Sequence, residues 1–203
     1  MKIDQKIIEN SYSFENYIRL LSDLLSDNKT TGTDYSEQYV DFTKLNLSRM
    51  KRIVKQTIVN ENLKAEILKI DTPQTWLSIT EGWCGDAGQI IGAIETFSKL
   101  NPNIKHVLIL RDENLNIIDQ YLTNETRSIP KILILDGENN VITHWGPRPQ
   151  LLQDKVLQWK KEPDFNKTTL NDKLHHWYTD NKTIAIQDSF LETLKNLDLA
   201  IKK

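Results

Sequence analysis

The chain has very little cysteine, only one residue in 203. This scarcity excludes an intramolecular disulfide and leaves Cys84 as the one thiol available for chemistry. No run of about 18 apolar residues occurs, so the sequence predicts no membrane-spanning helix. The first six residues lack the apolar core of a secretion signal, and we therefore expect the protein to be cytoplasmic.

The chain also lacks an excess of either charge, because 26 basic residues are set against 28 acidic ones. The basic residues form no stripe with interleaved aromatic side chains, so nucleic acid is not expected as a partner. No group of His, Cys, Asp and Glu has the spacing of metal ligands, and no glycine-rich phosphate loop is present. We therefore predict neither a metal nor a cofactor.

The single cysteine lies between a predicted strand and a predicted helix. The apolar run Trp76–Thr80 comes before it, and a helical pattern begins soon after it. Cys84 is therefore expected at or just before a helix N-terminus, where unpaired N–H groups and the helix dipole favour a thiolate. A lone cysteine is also commonly a small buried apolar residue without chemistry, so both interpretations stay open.

Two motifs carry a resemblance to a known family. The turn Trp83-Cys84-Gly85-Asp86-Ala87 resembles the active-site turn of thioredoxins, Trp-Cys-Gly-Pro-Cys, and Ser128-Ile129-Pro130-Lys131 resembles their cis-proline loop. Residues 75–160 are similar to a group of bacterial thioredoxin-like proteins with Trp-Cys-Gly-Asp turns. The resemblance implies a nucleophile at Cys84 and substrate-binding positions at Trp83, Gly85, Asp86, Ile129 and Pro130.

Two positions depart from the thioredoxin pattern. Ala87 stands where the second cysteine belongs, and Ser78 stands where the family places a buried carboxylate that accepts a proton. A dithiol cycle needs a second thiol to resolve the mixed disulfide, so the site can support at most a monothiol thiol-disulfide oxidoreductase. The helix end favours the thiolate, whereas Asp86 and Glu81 oppose it, and we predict a modest lowering of the Cys84 pKa.

The order of the predicted elements agrees with this resemblance. Strands are expected at 75–80, 106–110, 131–135 and 141–145, with helices at 86–100, after Asp112 and after residue 149. Asp112 is expected to cap a helix that runs to Tyr121. The first two strands should form a parallel crossover unit and the last two an antiparallel hairpin. The prediction is an α/β, thioredoxin-like three-layer fold, with a central mixed sheet flanked by helices.

Helical patterns extend this core at both ends. Ser13 is a good cap for a first helix, and a second is predicted at about 47–58 with Ile58 facing inward. Two further helices follow Pro163, and the last uses Ile201 on its apolar face. We expect a single compact domain over residues 1–203. It comprises a thioredoxin-like core at 70–161, an N-terminal helical extension at 1–69 and a C-terminal helical extension at 162–203.

Two arginines and two histidines near this core are candidates for binding or for purely structural roles. Arg111 and Arg127 could hold a carboxylate such as that of glutathione, or could pair with Asp112 or Glu125 on the surface. His106 and His144 occur in strand patterns, where a histidine is usually a satisfied core or edge residue.

The leading functional hypothesis is a thioredoxin-like protein in cell redox homeostasis whose Cys84 forms reversible mixed disulfides. Its partners would be protein or low-molecular-weight thiols and disulfides. The alternative is a non-catalytic module that binds an extended peptide between Trp83 and Pro130, with Cys84 incidental. A third possibility is a dimer joined through a Cys84 disulfide. We otherwise expect a monomer or a weak dimer.

Overall fold

The fold is seen in a computed structural model that describes residues 1–163 and 165–201, without the side chains of residues 167 and 198–201. The N-terminal helices are α1 (Gln5–Glu9), α2 (Phe14–Ser26), α3 (Glu37–Gln56) and α4 (Glu61–Leu68). The central elements are β1 (Gln74–Thr80), α5 (Gly85–Ser98), β2 (Ile104–Leu110), α6 (Leu115–Ile118), β3 (Lys131–Leu135), β4 (Val141–Trp145) and α7 (Gln150–Trp159). The C-terminal helices are α8 (Lys167–Asn181) and α9 (Ile184–Ile201).

The four strands form one mixed sheet in the order β2-β1-β3-β4. β1 pairs with β2 in parallel and with β3 antiparallel, and β3 forms the predicted antiparallel hairpin with β4. Apolar side chains lie on both faces of the sheet. The paired residues Trp76 and Ile134 belong to one buried cluster, whereas the next pair, Leu77 and Leu133, belongs to another. Burial on both faces explains why β1 and β3, the two inner strands, are largely apolar at successive positions without alternation. The predicted α/β fold class, a mixed sheet flanked by helices, is confirmed.

Two local predictions about α3 are wrong. α3 begins at Glu37, well before residue 47, because its early buried positions include the polar residues Thr43 and Asn46, which add nothing to an apolar pattern. Ile58 is 87% exposed, since the helix ends at Gln56 and the chain is extended beyond it.

The helix predicted after Asp112 is a short one. α6 has Asn114 at its N-cap position and ends at Ile118, so Asp112 is not the cap and Tyr121 lies beyond the helix. The Asp112 carboxylate instead accepts a hydrogen bond from Arg111 Nε at 2.8 Å. An ion pair with a neighbouring arginine thus replaces the expected capping contact.

The terminal helices pack on the sheet and on each other. α9 contacts α4, and its Phe190 ring lies 4.9 Å from the Trp76 ring on β1. The predicted apolar position Ile201 lies outside the described side chains, and residues 164, 202 and 203 lie outside the described residues altogether. The division into core and extensions stays a prediction. Among the helices of the described ranges, none combines the length and the apolar character needed to span a bilayer.

α3 and α5 approach each other closely because α5 carries two glycines where they meet. A Cβ atom at Gly88 would lie 2.6 Å from Asn46 Oδ1, and one at Gly92 would lie 2.8 Å from the carbonyl oxygen of Met50. The obstacle at Gly92 is backbone, which cannot move aside as a flexible side chain can. The absence of a side chain at Gly92 therefore sets the distance between the N-terminal helices and the helix that begins after Cys84.

We expect Gly92→Ala to destabilise the protein by about 1–2 kcal/mol. The cost of overpacking is partly offset by the higher helix propensity of alanine. The free energy of unfolding in urea measures the effect. Gly137→Ala is the control, because its added Cβ would have its nearest neighbour, the Pro73 carbonyl oxygen, at 3.7 Å. A Gly92→Ala variant as stable as the wild type would contradict the close packing of α3 on α5.

Candidate functional site

Cys84 lies where the sequence predicts it, at the N-cap position of α5 immediately after a turn that follows β1. Its side chain is buried, with 8% of the residue exposed, and the sulfur donates a hydrogen bond to the carbonyl oxygen of Ile129 at 3.3 Å. The Ile129–Pro130 peptide bond is cis. The structure therefore brings together the two motifs that are far apart in sequence.

The thiol is held in its neutral form. Burial raises the pKa of Cys84 to about 12, and the negative charge of Asp86 adds to the effect. The backbone N–H groups of Ala87 and Asp86 and the charge of Arg148 act in the opposite direction. The predicted lowering of the Cys84 pKa is wrong, because the loss of water around the sulfur outweighs the favourable helix end.

Asp86 is the centre of a buried polar contact that the sequence does not reveal. Its carboxylate accepts a hydrogen bond from Arg148 Nε at 3.0 Å and another from the Tyr178 hydroxyl at 2.7 Å. Arg148 lies in the turn before α7, and Tyr178 lies on α8. The sequence gives one hint of this contact, because Arg148 lies between Pro147 and Pro149 in a predicted turn. Asp86 therefore joins the start of α5 to two distant segments of the chain.

The backbone of the cysteine turn is held by α3 and by the loop that precedes it. Gly82 N–H donates to the Thr31 hydroxyl at 2.9 Å, and the Gly82 carbonyl accepts from Asn46 Nδ2 at 3.0 Å. Glu81 is buried and accepts a hydrogen bond from the Asp112 backbone N–H at 2.9 Å. Burial raises the pKa of the Glu81 carboxyl. The turn is thus fixed on both sides of its glycine.

Trp83 is packed between two neighbours. The Tyr39 ring lies 5.3 Å away in an edge-on arrangement, and the Arg111 guanidinium carbon lies 4.9 Å from the ring centroid. Arg111 also forms an ion pair with Asp112, as the surface-pair interpretation predicts. Arg127 pairs with Asp119 at 2.6 Å and not with the predicted Glu125. Both arginines are therefore already engaged with carboxylates of the chain.

A cavity of about 340 Å³ lies beside Cys84, between α3, the cysteine turn and α8. Of the predicted substrate-binding residues, Trp83, Gly85 and Asp86 line this cavity, whereas Ile129 and Pro130 are buried and do not. The two helices supply residues that sequence reasoning missed: Tyr39, Phe42, Asn46 and Arg49 from α3, and Leu170, Leu174, His175 and Tyr178 from α8. The α8 helix therefore closes one side of the site.

A second set of buried polar side chains forms hydrogen bonds between β1, β2 and α5. The Ser78 hydroxyl lies 2.9 Å from His106 Nε2, and His106 Nδ1 lies 2.8 Å from a Glu95 carboxylate oxygen. The order resembles a hydrolytic triad, but Ser78 is fully buried in β1, where no substrate can reach it. His106 is a satisfied core residue, as its strand position predicts.

We expect Asp86→Asn to raise the alkylation rate of Cys84 about tenfold at pH 8.5. Removing the nearby negative charge lowers the thiol pKa by about one unit, and each unit changes the thiolate fraction about tenfold. Arg148→Gln should slow the reaction, because the Arg148 charge lowers the pKa. Iodoacetamide labelling followed by intact mass gives the rates, and circular dichroism verifies folding. Asp154→Asn, an exposed change on α7, is the control. Equal rates in the three variants would refute the assigned electrostatics.

The comparisons with known proteins agree with this architecture. A crystal structure of a protein of unknown function from Pseudomonas aeruginosa aligns with 91% of this chain and 98% of its own, at 20% identity and a TM-score of 0.57. An HIV epitope-scaffold aligns with 91% of this chain and 99% of its own, at 21% identity and a TM-score of 0.54. At these identities the two structures show the fold alone. No curated protein matches the chain. The family model described as Thioredoxin matches residues 32–164, roughly two thirds of the chain. The chain belongs to the thioredoxin family.

Proposed function

We propose that this member of the thioredoxin family is a non-catalytic binding module whose ligand site is the cavity beside Cys84. The observation that carries the proposal is the buried contact of the Cys84 thiol with the Ile129 carbonyl oxygen at 3.3 Å. A thiol in this contact, with its pKa raised to about 12, serves as a neutral donor that closes the wall of the cavity. The thiolate is the nucleophile in disulfide exchange, so this environment disfavours catalysis.

The residues around the sulfur support the same conclusion. No second cysteine exists to resolve a mixed disulfide, and Ser78 is engaged with His106 in the core. A groove for an extended peptide between Trp83 and Pro130 is less well supported than the cavity. Ile129 and Pro130 are buried, and the Ile129 carbonyl, which a peptide strand would need, already accepts from Cys84.

The proposal predicts that the native thiol is protected. At pH 7.5 we expect iodoacetamide to alkylate native Cys84 at least about a hundredfold more slowly than the chain unfolded in urea. The reason is that burial raises the pKa far above the free-thiol value of about 8.5. Intact mass follows the modification, and Cys84→Ser verifies its site. Comparable rates in the two states would exclude a neutral, structural thiol.

A second candidate function is monothiol exchange, which one observation favours: Cys84 lines the cavity, so a small disulfide can approach it. In this reaction the Cys84 thiolate attacks one sulfur of a disulfide, and the disulfide bond breaks. A new bond joins that sulfur to Cys84, and the other sulfur leaves as a thiolate that takes up the proton. A second molecule of the small thiol would then attack the mixed disulfide and restore Cys84.

Oxidised glutathione distinguishes the two candidates. A non-catalytic module should gain no adduct by intact mass after prolonged incubation at neutral pH, because the neutral thiol does not attack. A single adduct on the wild type that Cys84→Ser abolishes would instead establish monothiol exchange. A non-reducing gel run in parallel would reveal a dimer joined through Cys84, since the monomer has no other thiol.

A further inference from the structure

The cavity wall contains an arginine without an anionic partner. Arg49 projects from α3 and is half-buried, and its Nη1 atom lies 3.3 Å from Asn46 Oδ1 and 3.4 Å from His175 Nε2. Among the residues that the structure describes, no carboxylate forms an ion pair with Arg49. Burial and the neighbouring Arg52 lower its pKa, but a guanidinium keeps its proton in proteins. The positive charge at this end of the cavity is therefore uncompensated.

His175 lies against Arg49 in the cavity wall. A guanidinium can only donate hydrogen bonds, so the His175 Nε2 atom facing Arg49 accepts and the ring proton is on Nδ1. This Nδ1 atom is buried and has no hydrogen-bond partner in the described part of the chain. Burial and the charge of Arg49 lower the pKa of His175, which keeps the ring neutral at pH 7. His175 therefore holds the Arg49 guanidinium in the cavity wall without compensating its charge.

The other charges of the cavity nearly cancel. Arg148 is compensated by its ion pair with Asp86, and Asp86 also accepts from Tyr178. Asp172, on the same helix as His175, raises the pKa of the histidine. Burial, Arg49 and Asp86 each have a larger effect on that pKa. The cavity therefore has a net charge of about one positive unit, located at Arg49. A ligand with one negative charge would match it.

Beside the polar side chains of Gln38 and Asn171, much of the remaining wall is apolar. The Tyr39 and Phe42 rings lie 6.5 Å apart on α3, and Leu170 and Leu174 face the same cavity from α8. Aromatic and aliphatic walls with a few convergent polar groups are typical of sites for small molecules. The volume of about 340 Å³ is at the small end of such sites.

We propose that the cavity binds a small organic monocarboxylate, whose carboxylate lies on Arg49 and whose apolar body lies between the α3 rings and α8. The inference rests on the proposed function, since it names the ligand of the same site. Charge-assisted hydrogen bonds to the Arg49 guanidinium supply the preference for an anion. Burial of the apolar body away from water supplies the rest of the binding free energy.

The test uses two probes of equal shape, 3-phenylpropionate and its neutral amide, 3-phenylpropanamide, titrated calorimetrically into the full chain at pH 7.5. We expect the acid to bind at least tenfold more tightly than the amide. This comparison needs no variant, so it does not depend on whether a mutant folds. Equal binding of the two probes, or no detectable binding of either at millimolar concentration, overturns the inference.

Variants assign the preference to its residue. Arg49→Gln should reduce the tenfold preference to less than threefold, and the exposed Lys51→Gln on the same helix should leave it unchanged. Loss of the preference in both variants would mean a general charge effect and would also overturn the assignment. The proposed function fails separately, if native Cys84 is alkylated as fast as the unfolded chain. The two failures are therefore distinguishable.

Discussion

The shape of this site depends on the hydrogen bonds that the buried Asp86 carboxylate accepts. This carboxylate binds Arg148 from the turn before α7 and Tyr178 from α8, so one side chain at the start of α5 fixes two distant segments around the cysteine turn. Removing one partner of a buried ion pair costs about 3–5 kcal/mol, because the other charge stays buried and uncompensated. The same negative charge raises the pKa of Cys84. The interaction that builds the cavity therefore also restrains the thiol.

The N-terminal helices are part of the site and do more than cover the core. The glycines of α5 let α3 approach until Asn46 reaches the Gly82 carbonyl, which fixes the turn before Cys84. One helical turn further along α3, Arg49 enters the cavity wall. An α3 displaced by even one methyl group would loosen both contacts, so the packing of two helices sets the position of the polar groups at the site.

Local features of the sequence predict the order of strands and helices along the chain and the position of Cys84 at a helix start, because both depend on apolar patterns over a few residues. The residues that determine the chemistry are out of reach of such patterns. Arg49, Arg148 and His175 meet only after the chain has folded, and nothing near Cys84 in sequence announces them. The direction of the Cys84 pKa shift was mispredicted for the same reason, since burial is a property of the tertiary structure.

Burial has opposite consequences for Cys84 and Arg49, two of the ionisable groups that face this cavity. Cys84 responds by staying protonated and neutral, whereas Arg49 cannot lose its proton and keeps an unpaired charge. An anion that enters the cavity relieves Arg49, but its negative charge disfavours the Cys84 thiolate further. In the proposed site, ligand binding and thiolate formation would therefore oppose each other. The proposal of an anion ligand and the proposal of a non-catalytic thiol thus follow from the same burial.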